Sequence, residues 1–318
     1  MSNVATLLRR YSSLFSLVLA IGLIVANVIA LPAFADPSNY AATLGELAPF
    51  ALVAIASTPS ILSAGIDISV GPLMGVVGII YVVALLPHGL GAPEIAIPLC
   101  VLIGVGVGAI NGSLIAVGRY QPVIATLVMY FVLQGVGLKL APTPVFAAPN
   151  WTADLAGSIG PIPGAIISVG VPMLLWLALR RTAYVRSLLA VGGNDAAAYS
   201  AGMRISAVRI SAYALGGGFA AVAGLAITGL IGDGDPTIGA QYTLIALAAV
   251  GLGGTRLGGG SGGLLNSLIG ALCIFLIQDL LSNLHVSPFW LQVVYGAVLI
   301  AAIVLTARLN AEPRPLLT

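Results

Sequence analysis

An all-helical chain embedded in a membrane, with about ten spans in two loosely repeated halves, is the fold class this sequence predicts. Three observations predict it. Hydrophobic residues make up 59% of the 318 and charged residues 7%, where a soluble domain carries about a quarter charged residues; the mean hydropathy is +1.10. The apolar residues gather in runs near the length that crosses about 30 Å of hydrocarbon. Forty glycines and nineteen prolines suit close helix packing and interrupted helices rather than disorder, given that apolar content.

Ten spans are expected in order, at 12–34, 43–63, 71–87, 95–117, 122–141, 164–180, 207–231, 241–254, 263–284 and 289–307. Ala33-Phe34-Ala35 before Asp36 resembles a signal-peptidase site, but the apolar run before it exceeds the roughly 7–15 residues of a signal peptide's apolar core, so an uncleaved first helix is expected. The third and eighth spans are short, and the sequence around 65–71 and 253–263 is compatible with broken helices. A first half at about 43–141 and a second at about 207–307 flank a polar segment at about 180–209, all within one transmembrane domain over 1–318.

Orientation follows from the arginines. With the N-terminus inside, Arg9, Arg10, Arg119, five arginines at 180, 181, 186, 204 and 209, Arg256, Arg308 and Arg314 fall on the cytoplasmic side. Lys139 and the acids Asp36, Glu94, Asp154, Asp233 and Asp235 fall outside. The expected topology is N-in, C-in.

The halves repeat loosely. SAGIDISVGPLMGVVG (63–78) and GGTRLGGGSGGLLNSLIG (253–270) each set a glycine-rich polar turn before a small-residue helix. Asn111-Gly112 then Pro122, and Gln278-Asp279 then Pro288, continue the correspondence.

The segment RRTAYVRSLLAVGGNDAAAYSAGMRISAVR (180–209) is the one long stretch that would not dissolve in lipid. Gly192 and Gly193 are expected to break the preceding segment, with Asn194 as N-cap of a short helix. Asp195 adds negative charge in its first turn, Ala196, Ala197 and Ala198 favour helix, and Gly202 closes it.

Chemistry of the chain's own is not indicated. The phosphate-loop pattern lacks its lysine in GGTRLGGGSGG, and Lys139 sits in an apolar context. His88 and His285 lack partners at ligand spacing and read as interfacial. Cys100 and Cys273 read as small core residues, with no disulfide or metal indicated. Asp67 is the acid that stands out, because an ionisable residue near a span invites an ion or proton role. The plainer reading makes it the cap of the following helix at a cytoplasmic, water-accessible end. Glu46 is expected to be solvated at the outer interface. Asn111 and Gln134 are amides within apolar helices, suited to interhelical hydrogen bonds or to a hydrophilic path. Tyr130, beside Phe131, is a candidate gate aromatic.

Together these stretches resemble the permease subunits of bacterial sugar importers of the ATP-binding cassette class, ribose type. AGIDISVG (64–71) is similar to that family's GGIDLSVG, and AINGSLIAVGRYQPVIATL (109–127) to its G-x-INGLLI…P-x-F-I-x-T-L. RRTAYVRSLLAVGGNDAAAYSAGMRI (180–205) resembles R-T-x-x-G-R-x-x-x-A-x-G-G-N-x-x-A-A-x-x-S-G-I, and LIALAAVGLGGTRLGGG (244–260) its IAA-V-x-G-G-T element. Ala64, Val185, Thr243 and Gln278-Asp279 depart from the family pattern.

The resemblance implies a multi-pass inner-membrane transport subunit without catalysis or bound cofactor, with ATP and magnesium on a partner chain. ATP-binding subunits would dock on 194–202, a periplasmic binding protein would deliver a pentose or hexose, and a second permease, identical or related, would complete the path; nucleic acid has no role. Asp67, Ser69, Asn111, Tyr130 and Gln134 are the candidate pathway residues. A permease for a branched-chain amino acid or nucleoside, an ion-coupled transporter using Asp67, and a scaffold are the competing readings.

Overall fold

A computed structural model describes residues 12–287 and 289–310. Arg9, Arg10, Pro288 and Arg314, used above, lie outside the described residues, as does the side chain of Arg308. The described chain is helical, and every expected span contains a helix: α1 (Ser12–Ala30), α2 (Tyr40–Leu62), α3 (Val70–Ile80, extended by a π-helical turn Tyr81–Leu85), α4 (Pro93–Ala116) and α5 (Pro122–Leu140). After α6 (Thr152–Ala156) come α7 (Gly164–Arg180), α8 (Ala183–Gly193), α9 (Asp195–Ser200), α10 (Ile205–Ile231), α11 (Gly239–Leu252), α12 (Leu264–Asn283) and α13 (Phe289–Asn310).

The boundaries have local causes. Pro93 and Pro122 open α4 and α5, where a missing N–H is harmless. Thr182 caps α8 by accepting from the Tyr184 N–H at 3.1 Å. Gly232, at φ +72°, ends α10 in the left-handed region.

The helices are not ten equivalent spans. Among the described residues five are long and apolar enough to cross a membrane: 37–62, 93–116, 122–140, 205–231 and 264–283. The pair α7 and α8, bent by 82°, makes a sixth if counted as one. α11 has 14 residues, about 21 Å at 1.5 Å per residue, short of the ~30 Å core. The third expected span is likewise short, because 63–69 is non-helical and α3 starts only at Val70. The chain is therefore a polytopic helical membrane protein with broken as well as through-going helices.

One apolar core joins both halves, from Phe50 and Leu52 on α2 and Met74 on α3 to Phe219 on α10 and Ile274 on α12. The most extensive helix contact is α4 with α10. Gly104, Gly108 and Gly112, four residues apart on α4, permit it. A Cβ at these positions would stand 2.2 Å from Gly217 O, 2.1 Å from Tyr213 O and 2.6 Å from Ile210 Cα. Small residues let backbones meet where apolar area alone gives no drive to associate. α1 joins the bundle along α12 and at the end of α11: Asn27 Nδ2 donates to Leu276 O of α12 at 3.0 Å, and the Ser16 hydroxyl donates to Leu252 O of α11.

Two ends can be told apart by contact. At one, Gly260 N–H donates to Leu62 O at 3.2 Å and Ser206 Oγ reaches Ala116 O at 3.4 Å. This gathers the α2 end, the α4–α5 turn carrying Arg119, the start of α10 and the α11–α12 loop carrying Arg256. Arg180 joins them, lining a crevice with Gly262 and Gly263. At the other, residues 145–146 pair antiparallel with 233–234, and Trp151 Nε1 donates to Gly91 O at 2.7 Å. Glu94, Asp154 and Asp233 belong to the elements meeting there.

Candidate functional site

The first break, Ser63–Ser69, is held by side chains from four helices. Within it, Asp67 Oδ1 accepts from the Ser69 N–H at 2.9 Å and the Ser69 hydroxyl at 2.7 Å. Asn111 on α4 donates from Nδ2 to Ser69 Oγ at 2.8 Å. Thr126 on α5 accepts from the Ile68 N–H at 3.2 Å, and Thr243 on α11 donates to Ile68 O at 3.1 Å. Tyr213 on α10 lies against Gly65, where a Cβ would stand 2.2 Å from its hydroxyl. Backbone groups freed by an interrupted helix need such partners, since hydrocarbon offers none.

This corrects the plainer reading of Asp67. It is 4% exposed, away from water, and the N-cap of α3 is Ser69, which makes no side-chain cap bond. Asp67 instead stabilises the turn before the helix. Ser69 and Asn111 are buried with it. Tyr130 and Gln134 are not brought to this cluster; both are half-buried on α5, with Tyr130 edge-on to Phe131 at 5.3 Å. Thr126, Tyr213 and Thr243 were missed, because single hydroxyls in apolar helices carry no pattern. Two buried polar atoms here, Asn111 Oδ1 and the Tyr213 hydroxyl, have no hydrogen-bond partner among the described residues.

The second break, Gly253–Gly263, relies on backbone. Gly254, Gly259, Gly260 and Gly262 all have positive φ, from +75° to +118°, a region open to glycine without steric penalty. Gly259 abuts Ala64, where its Cβ would come within 2.6 Å of the Ala64 N.

The polar segment meets the end of α2 and the second break. Gly192 and Gly193 do not interrupt the preceding segment, as the sequence suggested; they are the last residues of α8. The chain leaves helix at Asn194, at φ −160° and ψ 103°. Gly192 is instead a point of close approach, since a Cβ there would stand 1.9 Å from Leu62 O and 2.8 Å from Gly260 N. Asn194 Oδ1 accepts from the Ala197 N–H at 3.0 Å, the cap expected of it. Ala198 is buried while Ala197 and Gly202 are exposed, and Gly202 has φ +79°. Asp195 pairs with Arg209 on α10, Nη2 to Oδ2 at 2.5 Å.

Among the described residues no three His, Cys, Asp or Glu side chains gather as a metal site would require. Residues 39–303 match the family model described as the permease component of branched-chain amino acid transport systems. The chain belongs to this family.

Relatives of this permease include the ribose import permease protein of Haemophilus influenzae, 34% identical over 86% of each chain, and that of Bacillus subtilis, 34% identical over 91% of each. The fructose import permease protein of Rhizobium meliloti is 32% identical over 90% of this chain and 82% of its own. No solved structure matches. As an ATP-binding cassette permease of the bacterial inner membrane, the chain is a transport subunit and not an enzyme, working with an ATPase and a binding protein. Family membership sets aside the ion-coupled reading of Asp67.

Proposed function

We propose that this permease imports a carbohydrate of the pentose or hexose type, with Asn194–Gly202 as the helix on which the ATPase docks. The chain has no cofactor of its own; ATP and magnesium sit on the partner. A second permease subunit, identical or related, completes a path at their interface. Asp67, Ser69 and Asn111, with Tyr130 and Gln134 farther along α5, belong to that path or its gate. The topology is ten segments, N-in and C-in, with the arginine-bearing end in the cytosol. The gathering of Arg119, Arg180 and Arg256 at one end supports this, opposite Glu94, Asp154 and Asp233.

The single observation that carries the reading is α9 itself: a capped, exposed helix preceded by Gly192, which packs against the end of α2 and the second break. A small apolar surface of that kind suits insertion into a partner's groove. ATP-driven closure of the partner then acts on the permease to the extent that the docked helix favours one state over the other. The relatives named for ribose and fructose import favour a sugar. The family description favours a second reading, a branched-chain amino acid.

The test is Asn194→Arg with Ala197→Glu in cells carrying the ATPase and binding protein. Uptake and transport-linked ATPase activity are expected to fall at least about tenfold, the equivalent of about 1.4 kcal/mol. Normal values for both show that the docking site lies elsewhere.

A further inference from the structure

We infer that Arg209 and Tyr213 are positioning residues that tie the placement of α9 to the shape of the Ser63–Ser69 break. Their use in transport rests on α9 being the docking helix; the link itself does not.

The Arg209–Asp195 pair is the one ion pair among the described residues, and it joins the first residue of α9 to the second turn of α10. α9 has few other anchors: Ala198 is its only buried residue. Four residues beyond Arg209, on the same face of α10, Tyr213 is 1% exposed and fills the space left by the missing Cβ of Gly65. The stretch between cannot bend freely, because Gly108 and Gly112 of α4 lie against the backbone at 213 and 210. α4 and α10 therefore move as one body here. That body carries Tyr213 against Gly65 and Asn111 bonded to Ser69, so it holds the break at both ends.

The two unpartnered atoms beside the break belong to the same body, Asn111 Oδ1 on α4 and the Tyr213 hydroxyl on α10. A buried polar group without a partner is unfavourable. Any shift of the break that supplies one recovers that free energy. A break held by a movable body and incompletely satisfied in this arrangement has the properties of a two-state element, and the Asp195–Arg209 pair lets α9 bias it.

Hydrogen–deuterium exchange on the full-length chain in lipid nanodiscs, followed at peptides covering 63–70, tests this without sugar or ATPase. Arg209→Ala and Asp195→Asn are each expected to raise exchange there by about fivefold, a modest change in the local opening equilibrium. Arg209→Lys, and the reversed pair Asp195→Arg with Arg209→Asp, are expected to return it toward the parent rate. Arg204→Ala, an equal loss of charge at an exposed site, is expected to leave it unchanged. The inference is overturned if Arg209→Ala alters exchange only at 194–202, or if the reversed pair is no better than either single change. Normal uptake in the docking variant would sink the functional reading and leave this measurement standing.

Discussion

The two breaks answer the same physical problem in opposite ways. Both separate consecutive helices, α2 from α3 and α11 from α12, and leave backbone groups without helical partners. At Ser63–Ser69 the remedy is side chains: Asp67, Asn111, Thr126 and Thr243 supply partners from within the break and from three surrounding helices. At Gly253–Gly263 the remedy is conformation, with four glycines at positive φ letting the chain fold on itself, aided by Thr255, which accepts from the Gly263 N–H at 3.2 Å. A side-chain cage specifies a chemistry as well as a shape, whereas a glycine turn specifies only a path.

Three changes break or sharpen the comparison. The largest effect is expected where the polar segment touches the end of α2 and the second break. Gly192→Ala forces a backbone carbonyl aside and is expected to destabilise by about 3 kcal/mol. Gly193→Ala next door, where the nearest atom is 3.8 Å away, is expected to be tolerated within about 0.5 kcal/mol. Detergent-titration unfolding of the two purified proteins compares them; equal stability would mean the contact is not as close as described.

Next comes the cage. Asp67→Ala leaves the Ser69 N–H and hydroxyl without their buried acceptor, an expected loss of about 2 kcal/mol. Asp67→Asn keeps an oxygen in the same place and is expected to stay within about 1 kcal/mol of the parent. If both variants unfold alike, the carboxyl is not holding the turn.

The smallest effect is at the seam between the breaks. Ala64 has φ +60°, a left-handed conformation that disfavours any residue with a Cβ by about 1–2 kcal/mol. It is also the position where this chain departs from the glycine of the family's motif. Ala64→Gly is expected to stabilise by about 1 kcal/mol, less the entropy glycine loses on folding. A lower melting temperature for Ala64→Gly would show that the alanine is held there without strain.

Much of the candidate site is legible in the sequence. The Asn194 cap, the closing glycine at 202 and the unusual acid at 67 are all residue types whose local chemistry is strong. Less legible were roles that depend on a neighbour. Gly192 reads as a helix breaker from propensity, yet in a crowded bundle it stays helical and serves as a contact point. Asp67 reads as water-accessible from its place at a helix start, but α4, α5, α10 and α11 close over it. Tyr213 and Thr126 give no local signal at all, and Arg209 shows only as one more cytoplasmic charge.

The sequence by itself determined that this chain lives in a bilayer, where its helical segments fall, which stretch stays polar, and to which family it belongs. Those properties follow from hydropathy and short motifs, which add up along the chain. Only the tertiary structure decided how far each helix runs unbroken, which hydroxyls and amides meet at the first break, and that Gly192, Leu62 and Gly260 share one point. In a bundle where nearly every surface is apolar, pairing is chosen by the fit of small residues between segments far apart in sequence, and no local window contains that fit.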